Sequence, residues 1–290
     1  MHMQTPTFDY ENAFSRNIGW FTESEQAELK DKCVAIAGCG GVGGIHTLTM
    51  ARLGIGRFKL ADFDDFGIEN FNRQVGATMD TVGLPKLDVT QKSVKGINPD
   101  AYCEVYPKGI NDENIDVFLD GADLYIDSLD FFAMPPRRLV FQACADKGIP
   151  AVTAAPLGMG TAFLCFLPGK MTFEEYFGME GRSELEQFLR FYIGLAPNAL
   201  HANYLVDPTR LDLAAKKGPS TITGCTMCAG VASAYAAKIL LNRGPLIHAP
   251  EGVHWDPYVE QRTVSCLEGG HLNPDFQKKL AELKPVFGIE

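Results

Sequence analysis

Cys33-Val34-Ala35-Ile36-Ala37-Gly38-Cys39-Gly40-Gly41-Val42-Gly43 is the stretch that decides the fold. Its first five residues are an apolar run between Lys32 and Gly38, as expected of a strand buried on both faces of a parallel sheet. The next six fit G-x-G-x-x-G. Glycines there allow a tight turn and let backbone approach a phosphate at a helix N-terminus. A helix is expected over Ile45–Leu53, ended by Gly54 and Gly56, and then a second short strand, Phe58–Ala61, running into Asp62. Asp62 lies 24 residues beyond Gly38, where a carboxylate can accept hydrogen bonds from a ribose. Strand, helix and acid in register predict nucleotide binding, against the competing reading of a purely structural turn. No Lys-Ser or Lys-Thr follows the glycines, so this is not a Walker A loop.

Outward from this unit, a helix is expected from about Lys86 to Ile97, stopped by Asn98-Pro99. Tyr102–Tyr106, Leu124–Ile126 and Ile149–Ala154 read as strands, with helical patterns at Asp112–Asp120 and Pro135–Lys147 between them. Such alternation predicts an α/β fold with a doubly wound, mainly parallel, Rossmann-like sheet. We expect residues 1–168 to form the core, including an N-terminal helical arm over 1–31, and residues 169–290 to be an elaboration completing the same fold. In that back part Ala162–Leu167 reads into one more strand. Phe173–Ala196 has helical spacing, Pro197–Pro219 reads as loop with a short helix, and Phe276–Leu283 as a short amphipathic end. Pro245–Pro274, rich in Pro, Gly and His, gives no clear element.

The composition is that of a globular protein: 290 residues, 46% hydrophobic and 21% charged, which excludes disordered and collagen-like chains. With 26 Lys and Arg against 36 Asp and Glu the formal charge is −10, which argues against long-range capture of nucleic acid or an anionic membrane. Thr221–Leu241 is long enough to span a bilayer, but its Gly, Ala, Ser and Thr content and Lys238 fit a helix packed closely on a sheet. Eight cysteines are too few for a disulfide scaffold, and the first residues lack a basic stretch followed by an apolar one. A cytoplasmic location is therefore expected.

The loop after Asp62 narrows the choice. Asp62-Phe63-Asp64-Asp65 leads into Asn70-Phe71-Asn72-Arg73-Gln74, then Gly83-Leu84-Pro85-Lys86, Asn98-Pro99 and Asp127-Ser128-Leu129-Asp130. With the glycines, this succession resembles the ThiF/MoeB/HesA family of E1-like adenylating enzymes, over about Phe14 to Phe166. The resemblance implies ATP and Mg²⁺ as cofactors, and a substrate carboxylate, most simply the C-terminus of a small sulfur-carrier or ubiquitin-like protein. It places Gly38, Gly40, Gly41, Gly43, Asp62, Asp64, Asn70, Asn72, Arg73, Gln74 and Lys86 at the nucleotide, with Arg73 and Lys86 as the catalytic cations and Asp130 as metal ligand. Ser15-Arg16-Asn17 is similar to an N-terminal segment whose arginine, here Arg16, reaches the nucleotide of a partner in a homodimer. Phe131 departs from the pattern, which has Asn after the acid, and puts the activity of the site in question.

Adenylation suits these residue types. A terminal carboxyl is ionised at neutral pH, its pKa being about 3.5, so the site needs cations and positioning rather than a general base. Zinc is not expected: Cys225-Thr226-Met227-Cys228 is a single pair, and only Cys266 joins it in the back part. No cysteine lies between Phe166 and Gly224 to take over an acyl group, and Cys33, Cys39, Cys103, Cys144 and Cys165 read as core residues. The histidines show no catalytic spacing. Three alternatives remain: a tRNA threonylcarbamoyladenosine dehydratase-like enzyme acting on a tRNA base carboxylate, an NAD-dependent oxidoreductase, and a peptide-binding module without chemistry.

Overall fold

A computed structural model describes residues 7–213 and 215–289. Its centre is one eight-stranded sheet in the order β3-β2-β1-β4-β5-β6-β7-β8. The strands are β1 Cys33–Ala37, β2 Arg57–Ala61, β3 Tyr102–Tyr106, β4 Leu124–Asp127, β5 Ala151–Leu157, β6 Gly160–Phe166, β7 Glu251–Asp256 and β8 Gln261–Cys266. β1 to β5 pair in parallel, and β6, β7 and β8 continue antiparallel. The helices are α1 Tyr10–Ala13, α2 Glu23–Asp31, α3 Gly41–Leu53, α4 Lys86–Ile97, α5 Ile115–Leu119, α6 Met134–Lys147, α7 Phe173–Phe177, α8 Glu184–Leu195, α9 Ile222–Leu240 and α10 Pro274–Leu283.

Alternation along the strands assigns the two faces. Val34 and Ile36 of β1 join Met50 of α3, Leu87 and Val94 of α4 and Cys228 and Ala232 of α9 in one apolar cluster. Ala35 and Ala37 face the other way, into a larger cluster built from α5, α6, α7, α8 and α10. Helices thus cover both faces, and β1 is buried along its whole length, which explains its uninterrupted apolar run. β2 and β3 are added on one side of β1 and β4 and β5 on the other, so the strand order reverses between β1 and β4, and their carboxyl ends open at a topological switch point, where open α/β sheets bind ligands.

Several expectations need correcting. α3 begins at Gly41 rather than Ile45, so the last glycines of the loop lie in its first helical turn. The helical stretch Phe173–Ala196 is two helices, because Gly178 and Gly181 take positive φ of 62° and 69° between them. Pro245–Pro274 holds β7 and β8, a hairpin at the edge of the sheet. Its outer strand, Gln-Arg-Thr-Val-Ser-Cys, is polar because half of it faces solvent. Cys103 is only half-buried, unlike the other four cysteines expected in the core. No helix among the described residues is long and apolar enough to cross a membrane.

Candidate functional site

The glycine loop sits at the switch point and is shaped by close approach. Gly38 has a φ of 95°, and a Cβ there would stand 2.1 Å from the Ser128 carbonyl oxygen at the end of β4. A Cβ on Gly43 would fall 1.8 Å from the Gly38 oxygen. These two glycines bring β1, α3 and the β4 end together. Gly40 and Gly41 border a more open space: their nearest neighbours are the Gln74 amide, 3.6 Å from the Gly40 Cβ position, and, at Gly41, Cys225 Sγ at 3.2 Å and Arg73 Cγ at 3.7 Å. Gly40 caps α3 without a side chain, leaving first-turn N–H groups of a 13-residue helix directed at that space.

Asp62 holds the turn. Its Oδ2 accepts from the Cys39 N–H at 2.5 Å and its Oδ1 from the Asp64 N–H at 2.8 Å. Asp64 in turn pairs with Lys86, Nζ to Oδ2 at 2.9 Å. Lys86 is buried and opens α4, whereas the Asp64 carboxylate is half exposed. Cys39, within the turn, is buried, and burial pushes its thiol upward.

On the other side, Asn70 Oδ1 accepts from the Gly67 N–H at 2.9 Å, and the Asn70 carbonyl accepts from the N–H groups of Arg73 and Gln74. That tight turn projects Arg73 past Gly41, with its guanidinium on the Glu69 carbonyl and Asn72 Oδ1 at 3.0 and 2.9 Å. Asn72 donates to the Ser220 carbonyl at 2.9 Å, tying this loop to the segment before α9. Gln74 is buried against Gly40, and its Oε1 has no hydrogen-bond partner among the described residues. A buried acceptor without a donor, beside an uncapped helix start, is the signature of a polar ligand's place.

Asp130 is exposed and accepts from the Phe132 N–H at 3.0 Å through Oδ1. The neighbouring Asp127 is buried and engaged by Arg137, Nε to Oδ2 at 2.8 Å, and by the Thr153 hydroxyl at 2.9 Å. No group of three or more His, Cys, Asp or Glu among the described residues is placed to hold a metal ion. Asp130 can therefore supply one ligand, and phosphate oxygens and water would complete a magnesium shell, the usual arrangement for that ion. Arg16 is not brought to this site. It lies exposed on a short 3₁₀ turn, Ser15–Asn17, that Asn17 and Tyr10 anchor through the Leu53 and Gly54 carbonyls to the far end of α3. That end is about 18 Å from the glycine turn, at 1.5 Å per helical residue.

The sequence reading gave no role to Arg137 or to two histidines, and named Cys225 only within a pair not expected to bind zinc. Cys225 is buried in the first turns of α9, where burial pushes its thiol up. His46, on α3, contacts Ser128 Oγ at 3.1 Å, and burial lowers its pKa to about 4. His254, on β7 and facing His201, has both ring nitrogens unpartnered, and burial likewise lowers it to about 4. Only an apolar-strand pattern interrupted by histidine hinted at it.

These two imidazoles set an acid limit on stability. Their folded pKa values lie below that of an unfolded histidine, about 6.5, so the unfolded chain binds protons first. Stability is therefore complete above pH 6.5 and falls as pH drops towards 4, by about 2–3 kcal/mol for His46 alone. Urea midpoints measured from pH 7.5 to 4.5 should decline, and His254→Leu should make the decline shallower.

A glycine turn at a switch point, an acid after the second parallel strand and helices on both faces define a Rossmann-like α/β protein. Within that class the chain belongs to the ThiF family, whose model matches residues 14–268. Protein HesA of Nostoc sp. is 35% identical over 149 residues, covering 51% of this chain and 58% of HesA. A tRNA threonylcarbamoyladenosine dehydratase of Bacillus subtilis is 35% identical over 144 residues, 49% of this chain and 55% of the relative. The chain thus spans little more than half the length of these curated relatives. The crystal structure of Escherichia coli MccB with ATP aligns with a TM-score of 0.62 at 20% identity, over 90% of this chain and 73% of MccB, a likeness of fold.

Proposed function

We propose that the protein is an ATP-dependent activating enzyme that adenylates a carboxylate, the C-terminus of a small sulfur-carrier or ubiquitin-like protein, and releases pyrophosphate. The observation that carries this reading is the setting of the Gly40–Gly41 turn: the Arg73 stem stands 3.7 Å from the Gly41 Cβ position, and Lys86, through its ion pair with Asp64, is linked to the Asp62 carboxylate that holds the turn. The first-turn N–H groups of α3, the unpartnered Gln74 Oε1 and these cations suit a triphosphate and its ribose. The carboxylate oxygen attacks the α-phosphorus and the bond to the bridging oxygen breaks, so the electron pair leaves with pyrophosphate. Arg73 and Lys86 stabilise the charge that develops on the leaving group. Asp130 would hold Mg²⁺, which would supply further positive charge to the phosphates. The substrate tail lies between the carboxyl ends of the strands and the segment joining α8 to α9. In this reading residues 1–168 carry the nucleotide chemistry and 169–290 cover the substrate. The chain works as a homodimer in which Arg16 serves the partner's site.

Melting curves give the first test. A ligand specific to the native state at a hundred times its Kd stabilises by about 2.7 kcal/mol, several degrees in this chain. MgATP should raise the melting temperature and NAD should not; the reverse would favour an oxidoreductase. Pyrophosphate exchange into ATP that depends on a carrier protein then separates an enzyme from a binding module. The tRNA reading has its support in the B. subtilis relative. It predicts exchange with modified tRNA and none with a carrier, while the net charge of −10 weighs against it.

A further inference from the structure

We propose that Arg137 is the positioning residue that presents Asp130 to the divalent cation accompanying the nucleotide, an inference that rests on the adenylating reading above. Arg137 stands in the first turn of α6, after Pro135 and Pro136, where the helix dipole disfavours a cation. It is nevertheless almost wholly buried, at 2% exposure, so a local structure must compensate it.

That structure is the turn from Asp127 to Phe131. The guanidinium Nε donates to Asp127 Oδ2 at 2.8 Å, one terminal nitrogen to the Leu129 and Asp130 carbonyls at 2.7 and 3.0 Å, and the other to the Phe131 carbonyl at 3.2 Å. The face of the group lies 4.5 Å from the Phe191 ring centre on α8. Three successive carbonyls are thereby turned inward onto one planar cation, and the Asp130 carboxylate is left facing solvent. The same turn sets the Ser128 carbonyl against Gly38, so its shape fixes Asp130 relative to the glycine loop.

Charge separates the two acids in the same way. Asp127 is neutralised within the core by Arg137 and Thr153, whereas Asp130 keeps its second oxygen free of protein hydrogen bonds. One acid is structural and the other is available to a cation. Phe131, the departure from the family pattern, contributes its carbonyl to the same guanidinium, and its ring packs on Phe191 at 5.3 Å. Asp130 is thus held from behind by an aromatic and guanidinium bed.

Lysine in place of arginine keeps the charge for Asp127 but offers a point donor that cannot satisfy three carbonyls in a plane. The test is ATP affinity by calorimetry, with Mg²⁺ and with EDTA, for wild type, Arg137→Lys and Asp130→Asn. Expected is a wild-type affinity at least tenfold tighter with Mg²⁺, a gain lost in Asp130→Asn and reduced about tenfold in Arg137→Lys, while Arg137→Lys binds metal-free ATP like wild type. A full gain in Arg137→Lys, with the loss in Asp130→Asn, overturns the positioning role alone. A full gain in both overturns the metal role of Asp130 and the proposal with it. Absence of ATP binding by the wild type overturns the functional reading itself. If Arg137→Lys fails to fold, Phe191→Leu removes the ring on which the guanidinium and Phe131 rest while keeping an apolar side chain in the core. A two- to threefold smaller magnesium gain then supports the proposal, and an unchanged gain overturns it.

Discussion

Gly43→Ala is expected to fail as a folded protein, whereas Gly41→Ala, two positions earlier, should fold and lose nucleotide affinity. The difference is what each added methyl meets. At Gly43 it would stand 1.8 Å from the Gly38 carbonyl oxygen and 2.6 Å from its carbon, both backbone atoms of the turn joining β1 to α3. Neither can retreat without parting the strand from the helix, so a loss of at least about 4 kcal/mol is expected, in the exceptional tail of single substitutions. At Gly41 the methyl meets Cys225 Sγ at 3.2 Å and the flexible Arg73 stem at 3.7 Å. Gly→Ala inside a helix contributes about 1 kcal/mol of stability, which offsets that crowding. The methyl still fills the space beside the α3 N-terminus, so a tenfold or greater weakening of MgATP binding is expected. Urea unfolding and calorimetry on the two variants check the pair. A stable Gly43→Ala protein would mean that the turn is far looser than its contacts require.

Lys86→Ala should abolish pyrophosphate exchange by about 10²–10³-fold, the usual loss when one donor to a developing oxyanion is removed, while shifting the melting temperature little. The partner explains the small structural effect. Asp64 is half exposed, so the 2.9 Å ion pair works in a water-rich setting and contributes at most about 1 kcal/mol to stability. Removing the ammonium leaves no stranded buried charge. Arg73→Ala should behave alike, because among the described residues its guanidinium hydrogen-bonds to Asn72 and the Glu69 carbonyl, both in the exposed loop. Exchange assays with the cognate carrier, alongside melting curves, separate chemistry from folding. Exchange at the wild-type rate in both variants would remove the basis of the functional reading.

The parallel half of the sheet was legible because burial on both faces leaves uninterrupted apolar runs, as in Cys33–Ala37 and Leu124–Ile126. The glycines and Asp62 were legible because backbone geometry admits few alternatives there. β7 and β8 were not, since Glu-Gly-Val-His-Trp-Asp carries its apolar signal through a buried histidine and β8 is a polar edge. Arg137 escaped notice because a cation in a helix's first turn reads as surface. Only the three carbonyls it gathers from the preceding turn reveal it as interior. Arg16 shows the opposite limit: its motif resembled a known one, but the residue stands exposed at the far end of α3 from the glycine turn, and local sequence does not encode what a second chain would bring to it.

The Lys86–Asp64 contact has a consequence for how the empty protein meets salt and ligand. The ammonium rests against an in-house counter-ion on a water-facing side chain, so stray chloride or sulfate finds little field to exploit. On the adenylating reading, a polyphosphate of several charges would compete with that carboxylate for the ammonium, and Asp64, being half exposed, would turn to water at small cost.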